Sequence, residues 1–367
     1  MFSDLFENLD ISEIKEKIYS SEKNQVIQTI ESENISNENM HHLFSPAADD
    51  FIEMLAEKSY SITRKRFGNT IQLYAPLYIS NECSNNCLYC GFNIKNDIKR
   101  STLTQKEIDL EADLLYGNGF RHILLLTGED RKAVSVNDIS NTAKALKKRF
   151  SSISIEVFPM EIEEYSLLID SGVDGLTIYQ ETYNRETYSE VHASGKKKDF
   201  NWRINAPDRG GIAGFNRIGI GTLLGLSDWR LDGYLTALHA RYLAKEYWKS
   251  QIQISFPRIT ESAGHFNPPV KVTDRDLTHL ICSMRLLLPD SGLSLSTRES
   301  SELRNNLIPL GITQMSAGSK TSPGGYSESE KAESQFAVSD SRTPLEIETL
   351  IRIKGFDPVW KDWDNVL

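Results

Sequence analysis

The sequence predicts an α/β protein built as a (β/α)8 barrel of the TIM type, with a helical extension before it and a tail after it. From residue 71, short apolar, β-rich segments alternate with helical ones eight times. Such alternation favours parallel strands joined by helices. Nearly every strand segment ends in a polar or charged group, and barrels carry their chemistry at the C-terminal strand ends. The chain has 367 residues, 39% of them hydrophobic, which is ample for one large core. A doubly wound open sheet is the structural alternative.

Residues 1–65 form the extension, polar and helical. Ile11, Ile14 and Ile18 recur at helical spacing between Asp10 and Tyr19. Residues 20–40 are rich in Ser, Asn, Glu and Gln, with Ile27 and Ile30 as weak anchors, and Pro46 leads into a helix over 49–58. Residues 66–320 form the barrel. Its first strand, Ile71 to Ile79, runs into a cysteine loop. Thr104 and Glu107 form a capping box for a helix that stops near Gly117 and Gly119. Strands follow at His122–Thr127, Ile153–Phe158 and Gly175–Tyr179, with helices at Val136–Phe150 and from Pro159 to Asp170. An irregular stretch comes next, with a helix at Arg185–Val191 and a Gly-rich run at 210–214. Strands at Ile218–Leu224, Gln251–Phe256, Leu293–Ser296 and Ile312–Ser316 complete the set, with helices at Tyr234–Trp248 and Asp274–Leu288. Residues 321–367 form the tail. It carries turn and Ser/Glu-rich composition and two tryptophans, Trp360 and Trp363, expected to dock on the barrel.

Net charge is -10, from 41 basic and 51 acidic side chains. The one basic cluster, Lys196-Lys-Lys198, reads as a solvated loop, so nucleic acid is not an expected partner. No apolar run reaches the ~20 residues of a membrane span. The acidic start, Met1-Phe-Ser-Asp4, is not a signal peptide, and the expected location is the cytoplasm.

Cys83, Cys87 and Cys90 stand in a C-x3-C-x2-C pattern at the end of the first strand. Three thiolates this close can hold three irons of a [4Fe-4S] cluster and leave the fourth open to a small molecule, unlike the four-cysteine pattern of an electron carrier. A disulfide would strand one cysteine, and zinc would lack a fourth ligand, since the nearest histidines are His42 and His122. Cys282 lies far away in sequence. The other polar strand ends are Thr127-Gly-Glu129, Glu156, Gln180-Glu181, Arg258, Arg298-Glu299 and Ser316.

The cysteine motif resembles that of the radical S-adenosylmethionine (SAM) superfamily. Further strings resemble one branch of it more closely: Cys87-Leu-Tyr-Cys-Gly-Phe92, Leu126-Thr-Gly-Glu129, Tyr179-Gln-Glu-Thr-Tyr183, Ser255-Phe-Pro-Arg258, Leu295-Ser-Thr-Arg-Glu-Ser300, Ser322-Pro-Gly-Gly-Tyr326 and Val359-Trp-Lys-Asp-Trp-Asp364. Over roughly residues 70 to 367 the chain resembles the tyrosine lyases of thiamine biosynthesis, the 2-iminoacetate synthases. The related lyases that mature [FeFe]-hydrogenase carry a second cluster on further cysteines near the C-terminus, and no cysteine follows Cys282. Ile259 to Val270 matches no motif.

The resemblance implies a radical SAM barrel that binds a [4Fe-4S] cluster and SAM and breaks the Cα–Cβ bond of L-tyrosine. The products would be 2-iminoacetate (dehydroglycine), for thiazole formation, and p-cresol. It implies a thiazole synthase subunit as partner and a flavodoxin- or ferredoxin-type reductant. Cys83, Cys87 and Cys90 would hold the cluster. Gly91 would let the backbone approach a ligand, and Phe92 would pack on it. Gly128-Glu129 would sit near the SAM amino group, Glu156 near its ribose, and Arg203 would be a weaker carboxylate binder. Arg298 would grip a carboxylate with its planar fork, against the bland reading of a salt bridge to Glu299. Glu181 and Ser316 complete the catalytic candidates, and Tyr183 is a weaker one. His192 and His265 are left aside as ordinary core or surface histidines. Competing functions are another aromatic amino-acid lyase, acting for instance on tryptophan, and a non-catalytic iron–sulfur assembly scaffold.

Overall fold

A computed structural model describes residues 1–260, 262, 266–327 and 332–361. Eight parallel strands close on themselves: β1 (Thr70–Ser80), β2 (His122–Thr127), β3 (Ser152–Glu156), β4 (Gly175–Thr177), β5 (Arg217–Gly221), β6 (Gln251–Ser255), β7 (Gly292–Leu295) and β8 (Gln314–Ser316). β8 pairs back onto β1 in the register Gln72 to Gln314 and Tyr74 to Ser316, which closes the barrel and excludes the open sheet.

Side-chain parity explains the interior. Successive strand residues face opposite sides. On β1, Ile71, Leu73, Ala75, Leu77 and Ile79 are buried in the main hydrophobic core. Their alternates Tyr74, Pro76 and Tyr78 line the barrel cavity. The same split recurs on β3, where Ile153 and Ile155 join the core while Glu156 lines the cavity. On the segment led by β7, Leu293 and Leu295 join the core while Ser296 and Arg298 line the cavity. Apolar packing therefore lies between sheet and helices, and the barrel's inside is polar. Its lower end is filled by Arg217 on Asp174 (2.8 Å) and by Gln314 donating to Gln72 (2.9 Å).

The extension packs on two long helices, Trp229–Glu246 and Asp274–Leu287. Phe2 stacks on His239 with ring centroids 3.8 Å apart, and the Leu43 carbonyl accepts from His279 Nε2 and Ser283 Oγ. Its buried side chains belong to the same core as the barrel. The polar stretch 20–40 holds a helix at Lys23–Glu31, and the helix expected over 49–58 is a 3-10 turn, Pro46–Phe51, leading into Ile52–Phe67. The Gly-rich run 210–214 lies largely in a helix, Ala206–Ala213, whose start is set by Pro207 in its first turn.

The tail passes the barrel mouth, forms a helix at Pro344–Ile353, and ends in a short strand, Asp357–Val359, parallel to the start of β1. Trp360 docks edge-on against Phe120 at 5.1 Å. Trp363 and His265 lie outside the described residues.

Candidate active site

The cavity opens at the C-terminal ends of the strands, and with its mouth it holds about 1250 Å³ of space. Cys83, Cys87, Cys90, Phe92, Gly128, Glu129, Glu156, Glu181, Arg203, Arg298 and Ser316 all line it. Of the site residues expected from the sequence, Gly91 and the weaker candidate Tyr183 do not.

The cysteine loop is tied down by its own polar side chains. Arg100 donates to the carbonyls of Asn81, Phe92 and Asn93 at 2.7–3.2 Å. Asn93 caps the Cys87 carbonyl, and Asn96 caps those of Cys90 and Gly91. Phe92 packs edge-on against Tyr78. Gly91 makes room for the tail of the chain itself. A Cβ there would lie 2.5 Å from the Gln335 carbonyl oxygen, to which the Gly91 N–H donates. Gly128 is equally constrained, because a Cβ would sit 2.1 Å from the Glu82 carbonyl oxygen.

The three thiols fit a cluster. Burial raises all three above the ordinary thiol range, Cys83 to about 11, while Lys197 opposes the rise at Cys87 and Cys90. Deprotonation would come with the iron. Among the described residues no three His, Cys, Asp or Glu side chains gather as a single-ion site. A cubane instead takes each cysteine on a different iron, so its ligands need not converge on one point.

Beside the cysteines stands a buried charge network. The antiparallel pairing of Asn86–Cys87 with His192–Ser194 draws the connection after β4 onto the cysteine loop. This brings in Lys197, and the solvated-loop expectation fails at that residue. Its side chain is 12% exposed and donates to Glu181 at 2.6 Å, whereas Lys196 is 66% exposed. A lysine triplet carries no hint of which member will be buried. Arg203 donates to Glu129 (3.0 Å) and the Tyr179 carbonyl (2.6 Å), and lies 3.6 Å from Glu181. Asn85 donates to the second oxygen of Glu129. Burial alone would raise Glu181, but Lys197 and Arg203 outweigh it and hold its carboxyl below the usual range. Glu181 also has φ +72°, a left-handed conformation costly for a non-glycine residue. The next two residues are pinned by Asp232, which accepts from Thr182 Oγ1 and the Tyr183 N–H.

Two further groups of different character line the same cavity. Glu156 has its carboxyl pushed up to about 7 by burial and by Glu181. Arg298 makes no ion pair among the described residues, and its guanidinium lies over the Phe336 ring. The expected alternative for Arg298 is void, because Glu299 is held by Arg258 through Nε at 3.0 and 3.1 Å and through Nη2. Arg258 also pairs with Asp274, so it is spent outside the cavity. Ser316 Oγ accepts from the Thr297 N–H and helps set the β7 end that carries Arg298.

Tyr183 does not reach the site: it is a core residue bonded to His239. His192 is buried between the Tyr188 carbonyl and the Tyr89 hydroxyl, and burial lowers it to about 3, so it is neutral. The unassigned stretch after Arg258 packs on the cysteine loop, with Ser262 donating to the Tyr89 carbonyl and Phe266 against the Tyr89 ring. Sequence reasoning missed Asn85, Tyr89, Lys197, Gln335 and Phe336, all of which line the cavity.

Family models and relatives agree with this geometry. The Radical SAM superfamily model matches residues 77–236, and the Biotin and Thiamin Synthesis associated domain model matches residues 255–357. Over 367 residues the chain is 43% identical to the 2-iminoacetate synthase of Escherichia coli (strain K12), covering 100% of this chain and 97% of that protein. Identity to the 2-iminoacetate synthase of Salmonella typhimurium is 41% with the same coverage. Among solved structures, HydG, a maturase of the [FeFe]-hydrogenase, superposes with a TM-score of 0.93 at 30% identity, over 98% of this chain and 81% of that one.

Proposed function

The chain belongs to the 2-iminoacetate synthase family, and we propose that it is a carbon–carbon lyase that cleaves the Cα–Cβ bond of L-tyrosine, releasing 2-iminoacetate and p-cresol. The observation that carries the substrate class is Arg298. It is a half-buried arginine with no carboxylate in ion-pair contact among the described residues, set in a cavity that the three cysteines also line. A free amino acid supplies the missing partner, and the planar fork takes its carboxylate through two parallel bonds.

Cys83, Cys87 and Cys90 would hold the [4Fe-4S] cluster. When bound, cluster and SAM supply the organic radical that takes a hydrogen atom from the substrate. The protein's own part is to bind and orient. Glu129, Gly128 and Phe92 line the SAM side beside the cysteines, with Arg203 positioning Glu129. Glu156, which holds its proton up to about pH 7, can donate a hydrogen bond to a neutral or anionic oxygen where an ionised carboxylate could only accept. Glu181 is committed to Lys197 and Arg203, so its role is to hold the shape of the wall rather than to move a proton. In this reading residues 66–320 are the catalytic barrel, 1–65 its outer brace and 321–367 the segment that closes it.

The product defines the partners. 2-Iminoacetate hydrolyses readily, which favours local transfer to a thiazole synthase subunit, and a flavodoxin- or ferredoxin-type protein would deliver the electron in the cytoplasm. The net charge of -10 suits docking on a complementary basic face. No helix among the described residues is long and apolar enough to cross a membrane.

Anaerobic incubation of the reconstituted protein with SAM, reductant and tyrosine tests the reading. 5′-Deoxyadenosine and p-cresol are expected in step. 5′-Deoxyadenosine without p-cresol, or indole-derived products from tryptophan instead, would reassign the substrate. No SAM cleavage at all would leave a scaffold.

A further inference from the structure

We propose that Gln335, a neutral residue of the tail, is a positioning residue for the cluster: its side-chain amide donates to the ligand sulfur of Cys90 and is aimed there by Tyr78. The proposal rests on the cysteines holding a cluster.

Four bonds fix Gln335. Its N–H donates to the Thr321 carbonyl at 2.9 Å, and its own carbonyl accepts from the Gly91 N–H at 3.1 Å. Gly91 has no side chain to hinder that approach, since a Cβ would stand 2.5 Å from the same oxygen. The Tyr78 hydroxyl donates to Gln335 Oε1 at 2.7 Å. Nε2 then faces Cys90 Sγ at 3.8 Å, within reach of an N–H to sulfur bond. The opposite amide orientation would turn a carbonyl oxygen toward a thiolate, and a thiolate only accepts. Tyr78 is buried, and its O–H has Gln335 Oε1 as acceptor.

The chemistry follows from charge. A donor on a ligating sulfur draws electron density away from the iron, which favours the reduced cluster, and such bonds are among the controls of cluster potential. The bond comes from a segment that joins the site last in sequence, and its neighbour Phe336 carries Arg298 on its ring. One dipeptide thus touches a cluster ligand and Arg298.

The test is an EPR-monitored redox titration of the full reconstituted chain, beside iron and sulfide analysis. Gln335→Leu removes the donor, and Gln335→Glu replaces it with an acceptor of similar shape. Both should keep about four irons per chain and shift the midpoint to more negative potential, Gln335→Glu the further. Tyr78→Phe should shift it the same way by less, because the backbone bonds of Gln335 remain. Unchanged midpoints with intact clusters would overturn the proposal. If the Gln335 variants fail to hold iron, Tyr78→Phe decides alone, and an unchanged midpoint there overturns it. A wild-type protein that takes up no three-thiolate cluster would instead defeat the cluster assignment, a separate and visible failure.

Discussion

The guanidinium carbon of Arg298 lies 3.4 Å from the ring centroid of Phe336. The arginine comes from the end of β7 and the phenylalanine from the tail, and the contact holds the guanidinium over the ring at the cavity wall. Stacking is a contact lysine makes poorly, and a bidentate grip is one it cannot make. Arg298→Lys should therefore cut tyrosine-dependent p-cresol formation by about 10- to 150-fold, the equivalent of a lost charge-assisted bond of roughly 1.5–3 kcal/mol. Iron content and tyrosine-independent 5′-deoxyadenosine formation should persist. Proportional loss of both activities would place Arg298 on SAM, and loss of neither would remove it from the site.

Cys83→Ala, Cys87→Ala and Cys90→Ala should each lose the cluster or its ability to cleave SAM. Cys282→Ala should keep about four irons per chain, on the three-thiolate logic. Cys282 is fully buried in the helix Asp274–Leu287, with Leu310 O as its sulfur's neighbour. Iron and sulfide analysis after anaerobic reconstitution reads this directly, and iron loss in Cys282→Ala would refute the ligand set.

Lys197→Ala should destabilise the protein by roughly 1–3 kcal/mol, because it strips a buried partner from Glu181 while Arg203 remains beside it. Lys198→Ala, one residue along and exposed, should stay within about 0.5 kcal/mol. Urea midpoints of the two variants give the comparison, and equal midpoints would return the whole triplet to the surface.

Asp232 gives a pH dependence of stability. Burial lifts its carboxyl from near 3.8 to about 7. In that interval the folded chain holds a proton the unfolded chain has released. The group therefore costs nothing below about pH 4, weakens the fold progressively as pH rises toward 7, and costs most above it, up to about 4 kcal/mol. Asp232→Asn keeps an acceptor for Thr182 and Tyr183 without the charge. The wild type should lose stability relative to this variant between about pH 4 and 7 and run parallel to it above. Stability curves parallel over the whole range would show that Asp232 is solvated.

Much of this architecture was legible because the strands write it in alternating residues. Ile153, Ile155, Leu293 and Leu295 announce the packed face of the sheet, and Glu156 and Arg298 stand where the opposite parity meets the barrel mouth. The cysteine spacing needed no structure. Other parts depend on contacts distant in sequence. Lys197 is buried only because His192–Ser194 pairs with Asn86–Cys87, and nothing within Lys196-Lys-Lys198 marks its middle member. Gln335 and Phe336 sit in a Ser/Glu-rich run whose composition reads as solvent-facing, and their place is set by a glycine far upstream. The helix at Ala206–Ala213 hid behind its glycines, although Pro207 in its first turn was a usable signal.

The path of the tail bears on the order in which the protein can be made. Gln335 and Phe336 leave the ribosome after every barrel strand, and the segment beyond them is fastened beside the start of β1 by Asp357–Val359. Until those residues emerge, the cysteine loop stands without the chain that will lie against Gly91 and Cys90. During synthesis the thiols pass through an interval in which barrel and ligands both exist and that flank is bare. Iron and sulfide delivered then meet an uncovered loop, while delivery to the finished chain must work past a seated tail.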